Sequence, residues 1–188
     1  AVPPPMLLLW PGAPRARLVA SAVTHSRLLP TRQDTLDLGA RLADLALPGD
    51  ALLLHGSYGA GKTCLARGFL QRWFASPDEL VTSPSYLIDN VYPDDGRARL
   101  RGVAVHHLDL WRLPEGKIAQ LVDLPAVFAD AVSLIEWPER LGARLTPPEH
   151  LALRLVIAGE GEGEEQPRLA TFEAHGARWA ERLPALLG

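Results

Sequence analysis

The chain has 188 residues, 47% of them hydrophobic and 22% charged, with a formal net charge of −3 at pH 7. That size and composition suit one α/β domain or a small domain with an appendage, and the acidic balance excludes an overall basic field for nucleic acid, so any RNA would be held by another subunit. The lone cysteine, Cys64, excludes an internal disulfide framework or a multi-cysteine zinc site and suits a reducing compartment.

The chain opens "AVPPPMLLLWPGAPRARLVASAVTHSRLLP", with Arg15, Arg17 and Arg27, and its first carboxylate is Asp34. An acid-free, arginine-bearing, alanine-rich leader has the make-up of an organellar transit peptide, and a disordered proline-rich tail has it too. The expected division is a leader at 1–29 and a domain at 30–188. A transit peptide would place the protein in the plastid stroma or mitochondrial matrix; otherwise the cytoplasm is expected. "MLLLW" is too short to span a membrane, and no other stretch qualifies.

From Thr31 onward Leu36, Leu38, Leu42, Ala43, Leu45 and Ala46 approximate a helical stripe, with Thr31 or Asp34 as its cap. Pro48-Gly49-Asp50 turns the chain, Ala51–His55 reads as a buried strand, and Thr63–Phe74 reads as a helix ending before Pro77. Between strand and helix, Gly56-Ser57-Tyr58-Gly59-Ala60-Gly61-Lys62-Thr63 fits G-x-x-x-x-G-K-[ST]. Glycines let the backbone aim several N–H groups at one anion, and the following helix adds the positive end of its dipole. Lys62 brings a mobile charge to β- and γ-phosphates, and the Thr63 hydroxyl can ligate Mg²⁺. A nucleoside triphosphate with Mg²⁺ is therefore expected on Gly56, Gly59, Ala60, Gly61, Lys62, Thr63 and the adjoining Cys64. A small residue such as Cys64 is common there for packing.

Further on, "YLIDNVY" and "LRGVAVHHLDL" read as strands about the turn "DDGR". Glu115–Ala131 reads as a helix that Pro125 interrupts, and "AVSLIEW" as a short strand closed by Pro138. "LALRLVIA" and "PRLATFEA" read as strands around an acidic turn, Gly159–Glu165, taken as a solvated hairpin tip rather than a metal site; "GARWAERLPALL" is a terminal amphipathic helix. Strands mixed with helices, and a phosphate loop after an early strand, predict a three-layer α/β domain with a mixed central sheet.

A phosphate loop needs a second carboxylate for Mg²⁺ and a residue that positions water or acceptor. Asp109 ends the strand in "HHLDLWR" and Glu136 ends the one in "LIEWPE". Alternation puts His107, Asp109 and Trp111 on one face, where His107 could serve as general base; an ion pair of Asp109 with Arg112 is the alternative. Ser83-Pro84-Ser85 presents hydroxyls on a rigid turn.

In this order and spacing, "PGDALLLHGSYGAGKT", "VTSPSY", "VHHLDLWRL" and "LIEWPERL" resemble the TsaE (YjeE) family of P-loop ATPases, from about Pro30 to Leu141. The family's pattern reads approximately G-D-L-G-A-G-K-T, S-P-T-F/Y, H-x-D-x-Y-R-L and I/V-E-W-P. The resemblance implies ATP and Mg²⁺ as ligands and support for N6-threonylcarbamoyladenosine formation on tRNA. It implies docking on a TsaD–TsaB type heterodimer, with tRNA reached only through those partners and the transfer itself left to TsaD. By the same resemblance, Lys62 and Thr63 are the phosphate lysine and magnesium hydroxyl, and His107 and Asp109 the H-x-D needed for slow, partner-stimulated turnover. Glu136 becomes a magnesium-side acid, Trp137 lies near the nucleotide, and Ser83–Ser85 is switch-like. Adenine contacts fall around Arg32–Thr35 and on the C-terminal strands, where Arg168 is a candidate. Ser85 replaces threonine, Trp111 replaces tyrosine, and Ser57-Tyr58 replaces Asp-Leu inside the loop, which bears on the pace of hydrolysis more than on binding. A P-loop kinase with a lid built from Arg97, Arg99 and Arg101, or a non-hydrolysing nucleotide-gated adaptor, are the alternatives.

Overall fold

A capping box starts the first helix, α1 (Arg32–Leu45): the Thr31 hydroxyl accepts the Asp34 N–H at 3.2 Å, and the Asp34 carboxylate accepts the Thr31 N–H at 2.9 Å. The computed structural model describes residues 24–159 and 166–187. The leader up to residue 23 and the acidic turn beyond Gly159 lie outside the described residues.

Thr24–Leu29, the last six residues of the expected leader, form β1, which pairs antiparallel with β7 (Arg168–His175). Between them in chain order come β2 (Ala51–His55), α2 (Lys62–Trp73), β3 (Asp89–Tyr92) and β4 (Val105–Asp109). Then follow α3 (Leu124–Asp130), β5 (Val132–Glu136) and β6 (His150–Ile157), and α4 (Ala177–Leu187) closes the domain. The helix expected over Glu115–Ala131 is two pieces, a 3-10 turn at Lys117–Gln120 and α3. Pro125 lies in the first turn of α3, where a missing N–H costs no helical bond, and Asp123 caps that turn by accepting from the Ala126 N–H.

The seven strands form one sheet in the order β1-β7-β6-β2-β5-β4-β3. β6, β2, β5 and β4 run parallel, and antiparallel strands edge them on both sides. Leu52 and Leu54 of β2 are buried with α1, α2 and α4; Ala51 and Leu53 are buried with α3. The domain is thus the three-layer α/β arrangement with a mixed sheet, as its patterning predicts. No helix among the described residues is long and apolar enough to cross a membrane.

Two features of this frame position the site. First, α1 and α2 cross backbone to backbone: a Cβ on Gly68 would lie 2.1 Å from the Leu36 carbonyl oxygen, and one on Gly39 would lie 2.1 Å from that of Leu65. The start of α1 is thereby pressed beside the phosphate loop. Second, the parallel ladder sets Leu54 level with Glu136 and Asp109 level with Glu136, so both carboxylates stand at strand ends next to the loop after β2.

Arg97 and Arg99, two of the three arginines that could have formed a kinase lid, hold the fold instead. Arg99 donates to the Ala46 carbonyl and lies 4.9 Å over the Trp73 ring, while Arg97 pairs with Asp95 and Glu79. None of Arg97, Arg99 and Arg101 lines the cleft described next.

Candidate nucleotide site

The loop from Gly56 to Thr63 wraps onto the N-terminus of α2, which Gly61 opens with a left-handed φ of 103°. Helix N-termini leave unpaired N–H groups, so the end of α2 is suited to an anion. Lys62, only 4% exposed, folds its ammonium back to donate to the Gly56 and Ser57 carbonyls, each at 2.8 Å. The same Nζ sits 4.0 Å over the Trp137 ring. Burial pushes the Lys62 pKa below its ordinary value, while the negative charges of Glu136, Asp109 and Glu139 oppose that fall.

Thr63 Oγ1 donates to Glu136 Oε1 at 2.8 Å, and His107 Nε2 pairs with the same oxygen at 2.9 Å. Glu136 takes no part in a helix or loop of its own; its place at the end of β5 beside the loop strand aims it at Thr63. One strand further out, Asp109 Oδ2 accepts both serine hydroxyls, Ser83 at 2.8 Å and Ser85 at 2.5 Å. Its other oxygen accepts the Trp111 N–H at 2.9 Å. The Trp111 and Trp137 rings meet with centroids 4.2 Å apart, forming an aromatic wall beyond the two carboxylates. Trp137 itself holds a left-handed φ of 58°, which lets the chain leave β5 sharply at Pro138.

These groups surround one cleft of about 550 Å³, within the range typical of small-molecule sites. Of the residues singled out from sequence, Gly59, Gly61, Lys62, Thr63 and Cys64 line it from the loop. Ser85, Asp109, Glu136 and Trp137 line it from the strand ends, and Arg32 and Arg168 line it from the opposite side. Arg168 also reaches across to the Gly59 carbonyl at 3.4 Å and donates to that of Gln166. Three candidates do not line the cleft. Gly56 contributes its carbonyl to Lys62, Ala60 is fully buried, and His107, with no exposed surface, stands behind Glu136. His107 is therefore a support for that carboxylate rather than a base facing the cleft. Asp109 is bonded to hydroxyls and a backbone N–H, whereas Arg112 lies 4.7 Å over the Tyr86 ring.

Arg67, Ile157 and Gln166 line the cleft without having been singled out from sequence, whereas Thr35 falls in the Arg32–Thr35 stretch expected at the adenine. Thr35 enters from the first helix with a buried hydroxyl that has no hydrogen-bond partner among the described residues. Arg67 enters from α2; its only sequence signal is a spacing of four from Thr63, which places both on one helical face.

The donor set suits magnesium. A threonine hydroxyl and a carboxylate, in contact and both in the cleft wall, are the hard oxygen ligands that Mg²⁺ takes while keeping several waters. The buried lysine beside them supplies the charge that would meet phosphate oxygens, and it already sits against oxygen acceptors in the loop.

Comparison with known proteins adds independent information. A family model described as "Threonylcarbamoyl adenosine biosynthesis protein TsaE" matches residues 29–166. The tRNA threonylcarbamoyladenosine biosynthesis protein TsaE of Mycobacterium tuberculosis is 35% identical over 151 residues, covering 77% of this chain and 83% of that protein. Its namesake in Bacillus subtilis is 31% identical over 149 residues, covering 78% of this chain and 84% of that protein. Among solved structures, Bacillus subtilis YdiB superposes with a TM-score of 0.69 at 25% identity, covering 89% of this chain and 96% of that one.

Proposed function

Because this chain belongs to the TsaE family of threonylcarbamoyl adenosine biosynthesis proteins, we propose that it is a magnesium-dependent ATPase serving that tRNA modification. The observation that carries the reading is the pairing of Thr63 with Glu136 beside a serine-bonded Asp109, all at the mouth of a phosphate-type loop. A kinase would need an acceptor-gripping lid, and Arg97 and Arg99, two of the arginines considered for one, are engaged in holding the fold.

In the proposed reaction the loop N–H groups and Lys62 hold the β- and γ-phosphates, and Lys62 leaves the Gly56 and Ser57 carbonyls to do so. Thr63 and Glu136 are the residues that would hold magnesium, which when bound withdraws charge from the bridging and terminal phosphate oxygens. His107 keeps the Glu136 carboxylate turned toward Thr63. Asp109 accepts a hydrogen bond from the attacking water and fixes its line of approach, its carboxylate held in direction by the Ser83 and Ser85 hydroxyls and the Trp111 N–H. Trp111 and Trp137 exclude bulk water on that side. Arg32, Thr35 and Arg168 border the far end of the cleft, where the base would lie.

Within this proposal the chain does not carry out the transfer to tRNA. It docks on a TsaD–TsaB type heterodimer and its ATP cycle resets that complex, with tRNA held by the partners. A net charge of −3 is consistent with that division of labour. The test is reconstitution. Phosphate release by the purified chain should rise on adding a TsaD–TsaB pair, and threonylcarbamoyladenosine should accumulate on tRNA only with both ATP and this chain present. Transfer of the γ-phosphate to a small molecule or protein acceptor would overturn the reading in favour of a kinase. Binding without any phosphate release would favour a nucleotide-gated adaptor.

A further inference from the structure

We propose that Arg67 is a positioning residue for hydrolysis: it ties the segment bearing Ser83 and Ser85 to the P-loop helix, so that the hydrogen bonds on Asp109 are set from the helix that receives the phosphates. The inference rests on the ATPase reading above.

Arg67 stands one helical turn after Thr63 and faces the same cleft. Its Nη2 and Nε both donate to the Val81 carbonyl, at 3.0 and 3.4 Å, and no carboxylate pairs with it among the described residues. An arginine that is half-buried, unpaired with acid and committed to a single backbone carbonyl is holding chain, not neutralising charge. A guanidinium fork fixes the direction of the peptide it grips, which a lysine point charge does less well.

The peptide it grips is the root of the serine segment. Val81 is buried in the core, but Thr82 and Ser83 are exposed, and beyond Ser85 come Tyr86 at 85% exposure and Leu87 at 74%. The serine segment is held at Val81, where Arg67 grips the carbonyl, at the two hydroxyls on Asp109, and at the buried Pro84, whose carbonyl accepts the Ile88 N–H at 2.6 Å. Loosening the grip at Val81 frees the exposed pair Thr82 and Ser83 between that root and the buried Pro84. Misplacing a reacting group by about 1 Å can cost on the order of a hundredfold in rate, so a root displaced at Val81 is felt at Asp109.

Arg67→Met keeps the length and apolar stem on α2 and removes the donors; Arg67→Lys restores one. In Arg67→Met, affinity for a fluorescent ATP analogue should stay within about threefold of wild type, while kcat with the partner pair falls by about tenfold or more. Arg67→Lys should recover part of that loss. In a background carrying Ser83→Ala and Ser85→Ala, Arg67→Met should cost less than about twofold further, because the same link is already cut. Amide exchange at Ile88, whose N–H bonds to the Pro84 carbonyl at the end of the segment, should quicken by about tenfold in Arg67→Met, measured on the chain alone. A wild-type kcat in Arg67→Met, a loss of affinity that matches the loss of kcat, full additivity with the serine variants, or unchanged exchange would each overturn the proposal. If wild type releases no phosphate with its partners, the ATPase reading fails on its own, and the exchange measurement still decides whether Arg67 roots the segment.

Discussion

Replacing Glu136 by two different residues separates what its carboxylate does for magnesium from what it does for the fold. The side chain is 3% exposed, and its Oε1 accepts from Thr63 at 2.8 Å and from His107 Nε2 at 2.9 Å. In Glu136→Gln the amide oxygen can accept both bonds in the same place, so stability should stay within about 1 kcal/mol of wild type. What disappears is the negative charge, and magnesium should then be needed at a concentration at least tenfold higher, a loss of about 1.4 kcal/mol or more. Glu136→Ala is different in kind. The His107 Nε2–H loses its acceptor in a ring whose Nδ1 already lacks a partner and which has no exposed surface. An orphaned buried donor costs about 1–3 kcal/mol, and the lost side-chain burial adds roughly 1 kcal/mol. A total of about 2–4 kcal/mol corresponds to a midpoint lowered by roughly 5–15 °C for a domain of this size. Urea and thermal unfolding give the stability arm; phosphate release against magnesium concentration gives the other. An unchanged magnesium requirement in Glu136→Gln would refute the metal role, and Glu136→Gln unfolding as easily as Glu136→Ala would refute the hydrogen-bond reasoning.

Other expectations are more compact. Lys62→Ala should abolish nucleotide binding by equilibrium titration, and retained tight ATP binding would remove the loop's assignment. Gly68→Ala should cost roughly 3 kcal/mol or prevent folding, since the new methyl meets the Leu36 carbonyl; a midpoint within about 1 °C of wild type would mean that α1 can slide freely. Acid should weaken the fold through His150, whose pKa burial pushes down to about 4, its Nδ1–H bonded to the Pro147 carbonyl and its ring stacked on His175. The unfolded chain takes up that proton below the ordinary value of 6.5, while the folded chain stays neutral, so the contribution is whole above pH 6.5 and is lost progressively down to about 4. Allowing for solvent screening of a partly accessible ring, the loss should be about 1–2 kcal/mol, and urea midpoints at stepped pH should show it shrinking in His150→Phe. Burial acts on His55 in the same direction.

The parts of this protein that are local in sequence were legible there. The run Ala51–His55, the glycine loop and the following helix declare themselves within a few residues, and the strands VHHLD and VSLIE each end in a single acid. What escaped was non-local. "THSRLL" has little alternation and only Leu29 buried; it is a strand because β7 offers an edge about 145 residues later, not because of its own pattern. His107 shared a face with Asp109 as alternation requires, but that face lies beneath Glu136, and depth behind a neighbouring strand is invisible to period-two counting. Arg67 looks like any helix-forming arginine, since its partner is a backbone carbonyl, which carries no residue code.

The pairing of Asp109 with Glu136 across the parallel ladder sets a rule for how this domain tolerates change in length. One residue inserted into 105–109 or 132–136 would turn one carboxylate through the sheet to the α3 side, however well its neighbours were kept. Substitution can be gradual in these strands; insertion cannot. For a library or a distant sequence alike, the count of residues from strand start to acid is therefore a sterner criterion than the identity of the residues between.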